Sequence, residues 1–165
     1  MDKNYDLLPF RNALVVDDDS DIRGVIAHAL QPFDGTPEMI DQGDETMVNC
    51  AKPTANFKVV EAESGKNALK LVKKQEGLRQ PIQVAFVDMR MAGWDGLETI
   101  QHISEHDSRI SFIIVTGELE RARDRISEEM GSVPFLILSK PFSTKDLFDQ
   151  GYQLSKRWCR LHGDS

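Results

Sequence analysis

The chain has 165 residues, 40% of them hydrophobic and 28% charged, which suits one domain burying roughly 70% of its unfolded surface. A net charge of −7 argues against binding nucleic acid or an anionic membrane by bulk electrostatics. The N-terminal MDKNYDLLPFRN lacks the apolar core of a signal peptide, no apolar run nears the roughly 20 residues of a membrane span, and Cys50 and Cys159 have no metal-type spacing, so the expectation is a cytoplasmic protein with unpaired thiols.

Five short apolar runs alternate with helix-period segments. Ala13–Val16 is the first run. Ser20 to Leu30 then reads as a helix with Ile22, Val25, Ile26, Ala29 and Leu30 on one face, capped by Asp19 or Ser20. Phe57–Val60 is the second run, and Ser64 caps a helix carrying Ala68, Leu69, Leu71 and Val72. Ile82–Val87 is followed by a helix opening at Asp95 or Gly96, with Leu97, Ile100 and Ile103 inward. After Ile110–Val115 comes a polar helix with a thin stripe of Leu119, Ala122, Ile126 and Met130. The fifth run, Val133–Leu138, leads to a last helix capped by Ser143 or Thr144 and running through Leu147, Phe148, Leu154 and Trp158. The rhythm breaks once. Pro32–Ala55 puts 24 residues between the first helix and the second strand, with five acids against one lysine. It reads as a solvated insertion, with one short helix near Asp44–Ala51 and a partner-docking role as the functional alternative.

Five βα units with continuous apolar strands predict a parallel sheet covered on both faces. Ligands then bind beyond the carboxyl ends of the strands. Those ends supply Asp17, Asp18 and Asp19; Asp88; Thr116 and Gly117; and Lys140 and Pro141. Glu61 ends the second run, on a flanking strand, and reads as surface. Asp19 is assigned to the helix cap. Carboxylates gathered at one point repel, by roughly 4 kcal/mol for two charges about 4 Å apart at an effective dielectric of 20. Such a cluster persists if a cation neutralises it or if some of the acids stay protonated; with oxygen donors and no nearby His or Cys, the cation that fits is Mg²⁺. Lys140 adds a positive charge, Thr116 a hydroxyl, and Gly117 lets backbone approach closely. A carboxylate, a divalent ion, a lysine and a hydroxyl are the parts for phosphoryl transfer onto Asp88.

The motifs 13-ALVVDDD-19, 85-AFVDMRMAGWDGLE-98, 113-IIVTGE-118 and 136-LILSKPF-142 together resemble the receiver domain of two-component response regulators, over about residues 11–158 apart from the insertion. The resemblance implies a flavodoxin-like (βα)5 doubly wound parallel sheet of order 2-1-3-4-5. It implies that Asp88 is the phosphoacceptor. Asp18, Asp88 and the main-chain carbonyl of Arg90 would ligate Mg²⁺, with Asp17 acting mainly through water. Thr116 and Lys140 would meet the phosphoryl group, Met89 and Gly117 would lie against it, and the Lys140–Pro141 bond would often be cis.

The implied partners are a sensor histidine kinase or phosphotransfer protein docking near the first helix, an output module elsewhere in a longer protein, and a second copy through the fourth helix, fifth strand and last helix. The wording DMRMAGWDGLETI and FLILSKPF, with the long insertion, is similar to receivers attached to sensor histidine kinases or cyclic-di-GMP enzymes. The chain ends at Ser165 without an output module, which favours an excised piece over a stand-alone receiver. The charge-rich 118–125 segment is either a solvated face or a salt-bridged dimer interface, and Tyr152, Lys156, Arg157, Trp158 and Arg160 divide between core packing and a linker helix.

Two departures stand out. Ala92 replaces the usual proline after Met91, and Ile137 replaces the usual switch aromatic. Arg90 and Glu118 flank the acceptor where side chains influence hydrolysis of its phosphate. The expectation is a signalling switch, not an enzyme with external turnover. The alternatives are a degenerate receiver acting as a constitutive docking module and a haloacid-dehalogenase-type phosphatase. The second fits poorly, because Asp21 stands where its motif needs Thr or Val.

Overall fold

In the computed structural model, residues 10–30 and 56–162 are described. Ten elements alternate: β1 (Phe10–Val16), α1 (Ser20–Leu30), β2 (Asn56–Ala62), α2 (Gly65–Gly77), β3 (Val84–Asp88), α3 (Gly96–His106), β4 (Ser111–Thr116), α4 (Leu119–Met130), β5 (Phe135–Ser139) and α5 (Thr144–His162). The strands form one parallel sheet of order β2-β1-β3-β4-β5. This is the flavodoxin-like arrangement expected. Residues 31–55 separate α1 from β2; the insertion, its short helix near Asp44–Ala51 and Cys50 lie outside the described residues.

Alternation along the strands builds two cores, one on each face of the sheet. Leu14, Val16, Ala85, Val87, Phe112 and Ile114 pack under α2, α3 and α4, with Leu97, Ile100 and Ile126. Ala13, Val15, Val84, Phe86, Ile113 and Val115 pack with Ile26, Leu30, Leu147 and Leu154 from α1 and α5. The central strands β3 and β4 are buried at every residue, which is why their sequences read as unbroken apolar runs.

Local signals place the helices. The Asp19 carboxylate accepts from the N–H groups of Asp21 (2.9 Å) and Ile22 (3.3 Å), so Asp19 caps α1. Ser64 accepts from Asn67 (3.2 Å), Asp95 from Glu98 (2.9 Å) and Ser143 from Asp146 (3.0 Å), capping α2, α3 and α5. The strand bounds depart from the apolar runs at both ends: β1 and β2 start earlier, at Phe10 and Asn56, while the later strands shift towards their carboxyl ends. β2 continues to Ala62, β3 starts at Val84, and β4 and β5 extend to Thr116 and Ser139. Backbone pairing, rather than side-chain polarity, sets where a strand stops.

One residue of the predicted α1 face is corrected. Val25 is 49% exposed, whereas Ala27 is buried beside Ile26 and Leu30. Period 3.6 permits either face, and docking of α1 against α5 and β2 selects the 26–27–30 stripe. On α5, Trp158 is fully buried and belongs to the core, while Lys156, Arg157 and Arg160 face solvent.

Candidate phosphoacceptor and metal site

Sheet register brings the functional side chains into one row. Val16 pairs with Val87, so Asp17 and Asp88 emerge side by side. Asp88 pairs with Val115 and Thr116 with Ser139, which places Thr116 and Lys140 one step further across. The Lys140 amide donates to the Thr116 carbonyl (2.8 Å), and the Lys140–Pro141 peptide is cis. Lys140 Nζ lies 3.4 Å from Asp88 Oδ1.

Carboxylate oxygens of Asp17, Asp18 and Asp88 lie within 4.8 Å of one another. Asp17 and Asp88 are buried, and Asp18 faces solvent. Burial pushes the Asp17 carboxyl up to about 6; the Asp19 N–H (2.9 Å) pulls it down, and the Asp88 charge adds to the rise. Asp17 Oδ2 is a buried oxygen with no hydrogen-bond partner among the described residues. Buried acceptors of this kind carry a desolvation cost unless something donates or coordinates. One lysine cannot neutralise three acids. The set is therefore suited to a hard divalent cation, with Asp18 on the open side where such an ion keeps its waters.

The surrounding loops are built for close approach. A Cβ on Gly96 would collide with the Asp88 carbonyl oxygen and the Met89 Cα, so α3 starts directly on the Asp88 backbone. Gly93 (φ 74°) makes the left-handed turn of the intervening loop. Asp18 Oδ2 accepts from the Ala92 amide (3.3 Å), tying that loop to the acid pair where the more usual proline could not donate. Among the described residues, a Cβ on Gly117 would meet only Lys140 Cβ, at 3.9 Å, so the glycine leaves the mouth open rather than relieving a clash. An open cavity of about 510 Å³, lined in part by Asp18, Arg90, Thr116, Glu118 and Arg121, adjoins the row. Arg90 bridges to Glu118 across it (2.9 Å).

Met89 is corrected. It lies next to Asp88, but its N–H donates to the Val115 carbonyl (3.0 Å) and its side chain is buried. It closes the sheet and has no free donor for a phosphoryl group. Glu61 is exposed and paired with Arg23 (3.7 Å), a surface role as expected. Arg23, which the sequence does not mark, also donates to the Asp17 carbonyl (2.7 Å) and so fixes the end of β1. An arginine four residues after a capping acid carries no distinguishing pattern. Sequence marks Asp95 only as a cap; its second oxygen also takes Arg125 from α4 (2.7 Å). Burial opposes its ionisation, but the Glu98 amide and Arg125 hold its carboxyl below the ordinary range.

The family model for the response regulator receiver domain matches residues 43–150. The chain belongs to that family. The receiver match begins after Asp17 and Asp18, and it is the sheet register that brings those two acids to Asp88. No curated protein matches the chain. Among solved structures, the adenylate cyclase from Rhodopirellula baltica is similar at 23% identity and a TM-score of 0.64, over 92% of this chain and 91% of that one. Vibrio cholerae chemotaxis protein CheY4 is similar at 20% and 0.62, over 88% and 98%. The receiver domain of the Francisella response regulator 1452 is similar at 23% and 0.62, over 89% and 98%. At these identities the likeness shows the fold. Receivers serve phosphorylation-dependent two-component signalling, exchanging contacts with kinases and output domains, and family membership gives this chain that role. Among the described residues, no helix is long and apolar enough to cross a membrane.

Proposed function

We propose that this receiver accepts a phosphoryl group from a phosphohistidine of a sensor kinase or phosphotransfer protein onto Asp88. The observation that carries the reading is the single row in which Asp88 stands within 4.8 Å of Asp17 and Asp18 and 3.4 Å from Lys140. An Asp88 carboxylate oxygen attacks phosphorus in line. The P–O bond forms as the P–N bond breaks; its electron pair stays on the donor's ring nitrogen, and the imidazole leaves neutral because its other ring nitrogen carries the proton. Asp18, Asp88 and the Arg90 carbonyl would hold Mg²⁺, with Asp17 acting mainly through water; the ion would supply charge neutralisation at the transferring oxygens. Lys140 stabilises a phosphoryl oxygen from the other side.

Thr116 links chemistry to readout. Its hydroxyl oxygen accepts from the Glu118 amide (3.1 Å), and Glu118 immediately precedes α4. Turning Thr116 towards a phosphoryl group gives up that bond and releases the start of α4. The face of α4, β5 and α5 then changes, and it serves output contacts or a second copy. Ile137, half-buried against the core, cannot supply an aromatic flip. The donor docks beside α1, where Val25 is exposed and Ile22 half-buried. The protein works in the cytoplasm with such a kinase. It turns over no external substrate and hydrolyses only its own acyl phosphate, slowly.

Phosphoramidate, a small P–N donor, tests this. With Mg²⁺ it should give a hydroxylamine-labile adduct on Asp88 that EDTA prevents. A hydroxylamine-stable adduct, or one that persists in Asp88→Asn, would contradict the assignment.

A further inference from the structure

α4 is weakly fixed by apolar contact. Of its twelve residues only Ala122, Ile126 and Met130 are buried, and among the described residues no side chain caps its N-terminus. Its position is set in addition by polar contacts to α3. Arg125 Nη1 meets Asp95 Oδ2 at 2.7 Å, and Arg125 also pairs with Glu129 on its own helix. Glu129 in turn accepts from Gln101 of α3 (3.5 Å).

The α3 end of this clamp is rigidly joined to the acceptor. Asp95 Oδ1 caps α3, and the next residue, Gly96, rests on the backbone of Asp88 and Met89 and donates to the Met89 carbonyl (3.0 Å). The loop between is held by Asp18 through the Ala92 amide. Asp95 therefore moves with the two acids that would bind the phosphoryl group and the cation. Arg125 is the contact that passes such a movement to α4.

We infer that Arg125 is a positioning residue that couples α4 to the phosphorylation state of Asp88 through Asp95. The inference rests on the phosphoacceptor reading of Asp88. The pair is partly exposed, and such pairs contribute little to stability. Its effect is on register: it selects which α4 placement goes with which placement of the acceptor loop. With no aromatic at position 137, this route stands beside the Thr116–Glu118 bond as a connection from the site into α4.

The test is hydrogen exchange of the 119–130 amides, with and without beryllofluoride plus Mg²⁺, in the wild type, Arg125→Met, Arg125→Lys and Asp95→Asn. Asn keeps a capping oxygen while removing the charge. The ligand-induced change in exchange should fall by at least about fivefold in Arg125→Met and in Asp95→Asn, the low end of coupling between sites. Lys should restore part of it, and the Arg125→Met/Asp95→Asn double variant should be no worse than either single one. Acetyl phosphate should still add one phosphoryl group to every variant. An α4 response in Arg125→Met equal to that of the wild type overturns the coupling. Absence of any adduct or beryllofluoride response in the wild type overturns the phosphoacceptor reading beneath it.

Discussion

Lys140 and Asp17 carry opposite burdens at the acceptor. Lys140, with its Nζ 3.4 Å from Asp88, is the cation that faces the acids across the row. Lys140→Ala should leave the fold intact and slow phosphorylation by acetyl phosphate by about 100-fold or more, the scale of losing one preorganised electrostatic partner. A rate within a factor of about three of wild type would remove Lys140 from the chemistry. Asp17 titrates the other way from a salt-bridged acid. Its folded value is raised to about 6 from an ordinary 3.8, so between those values the folded state holds more protons than the unfolded one. Its contribution to stability is therefore full below about pH 4 and is lost as pH rises through 6. A cation at the site offsets that loss. Urea unfolding should show Mg²⁺ stabilising the protein more at about pH 7 than at about pH 5, and Asp17→Asn should flatten the difference. Equal Mg²⁺ effects at both pH values would speak against Asp17 belonging to the ion site.

Two glycines in the helices have opposite consequences, one seating its helix on Asp88 and the other touching nothing among the described residues. Gly96 opens α3 against the acceptor's own backbone, and no side chain fits there. Gly24 sits in α1 on an exposed, ordinary helical backbone, and an added Cβ would meet none of the described residues within 4 Å. Gly24→Ala should thus stabilise the protein by about 0.5–1 kcal/mol, through helix propensity and a less free unfolded chain. Gly96→Ala should destabilise it and disturb phosphorylation, because α3 must lift away from Asp88. Thermal melts of the two variants check this, and a stabilised Gly96→Ala would mean that the α3 start is not seated as described. Among the helices α4 is the one suited to move: its apolar stripe is thin, and ion pairs supply much of its remaining contact. The heavily buried α3, by contrast, stays with the sheet.

At the scale of the molecule, the five βα units and the residues at the strand ends are legible in sequence because both follow from one-dimensional patterns, whereas the strand order is legible only through the resemblance to receivers. Unbroken apolar runs mark buried parallel strands, and the residue after each run falls at the ligand-binding edge. Asp17, Asp18, Asp88, Thr116 and Lys140 can be gathered from sequence for that reason. The exposure of Val25 is not legible, since two helix faces satisfy the same period and only docking selects one. The use of the Met89 amide depends on β3–β4 register, and the Asp95–Arg125 pair spans two helices whose separation no local spacing encodes. Intact mass after incubation with Mg²⁺ and acetyl phosphate, with Asp88→Asn alongside, tests the phosphoacceptor assignment most directly. One added phosphoryl group on the wild type and none on the variant is the expected result; equal labelling of both proteins would contradict it.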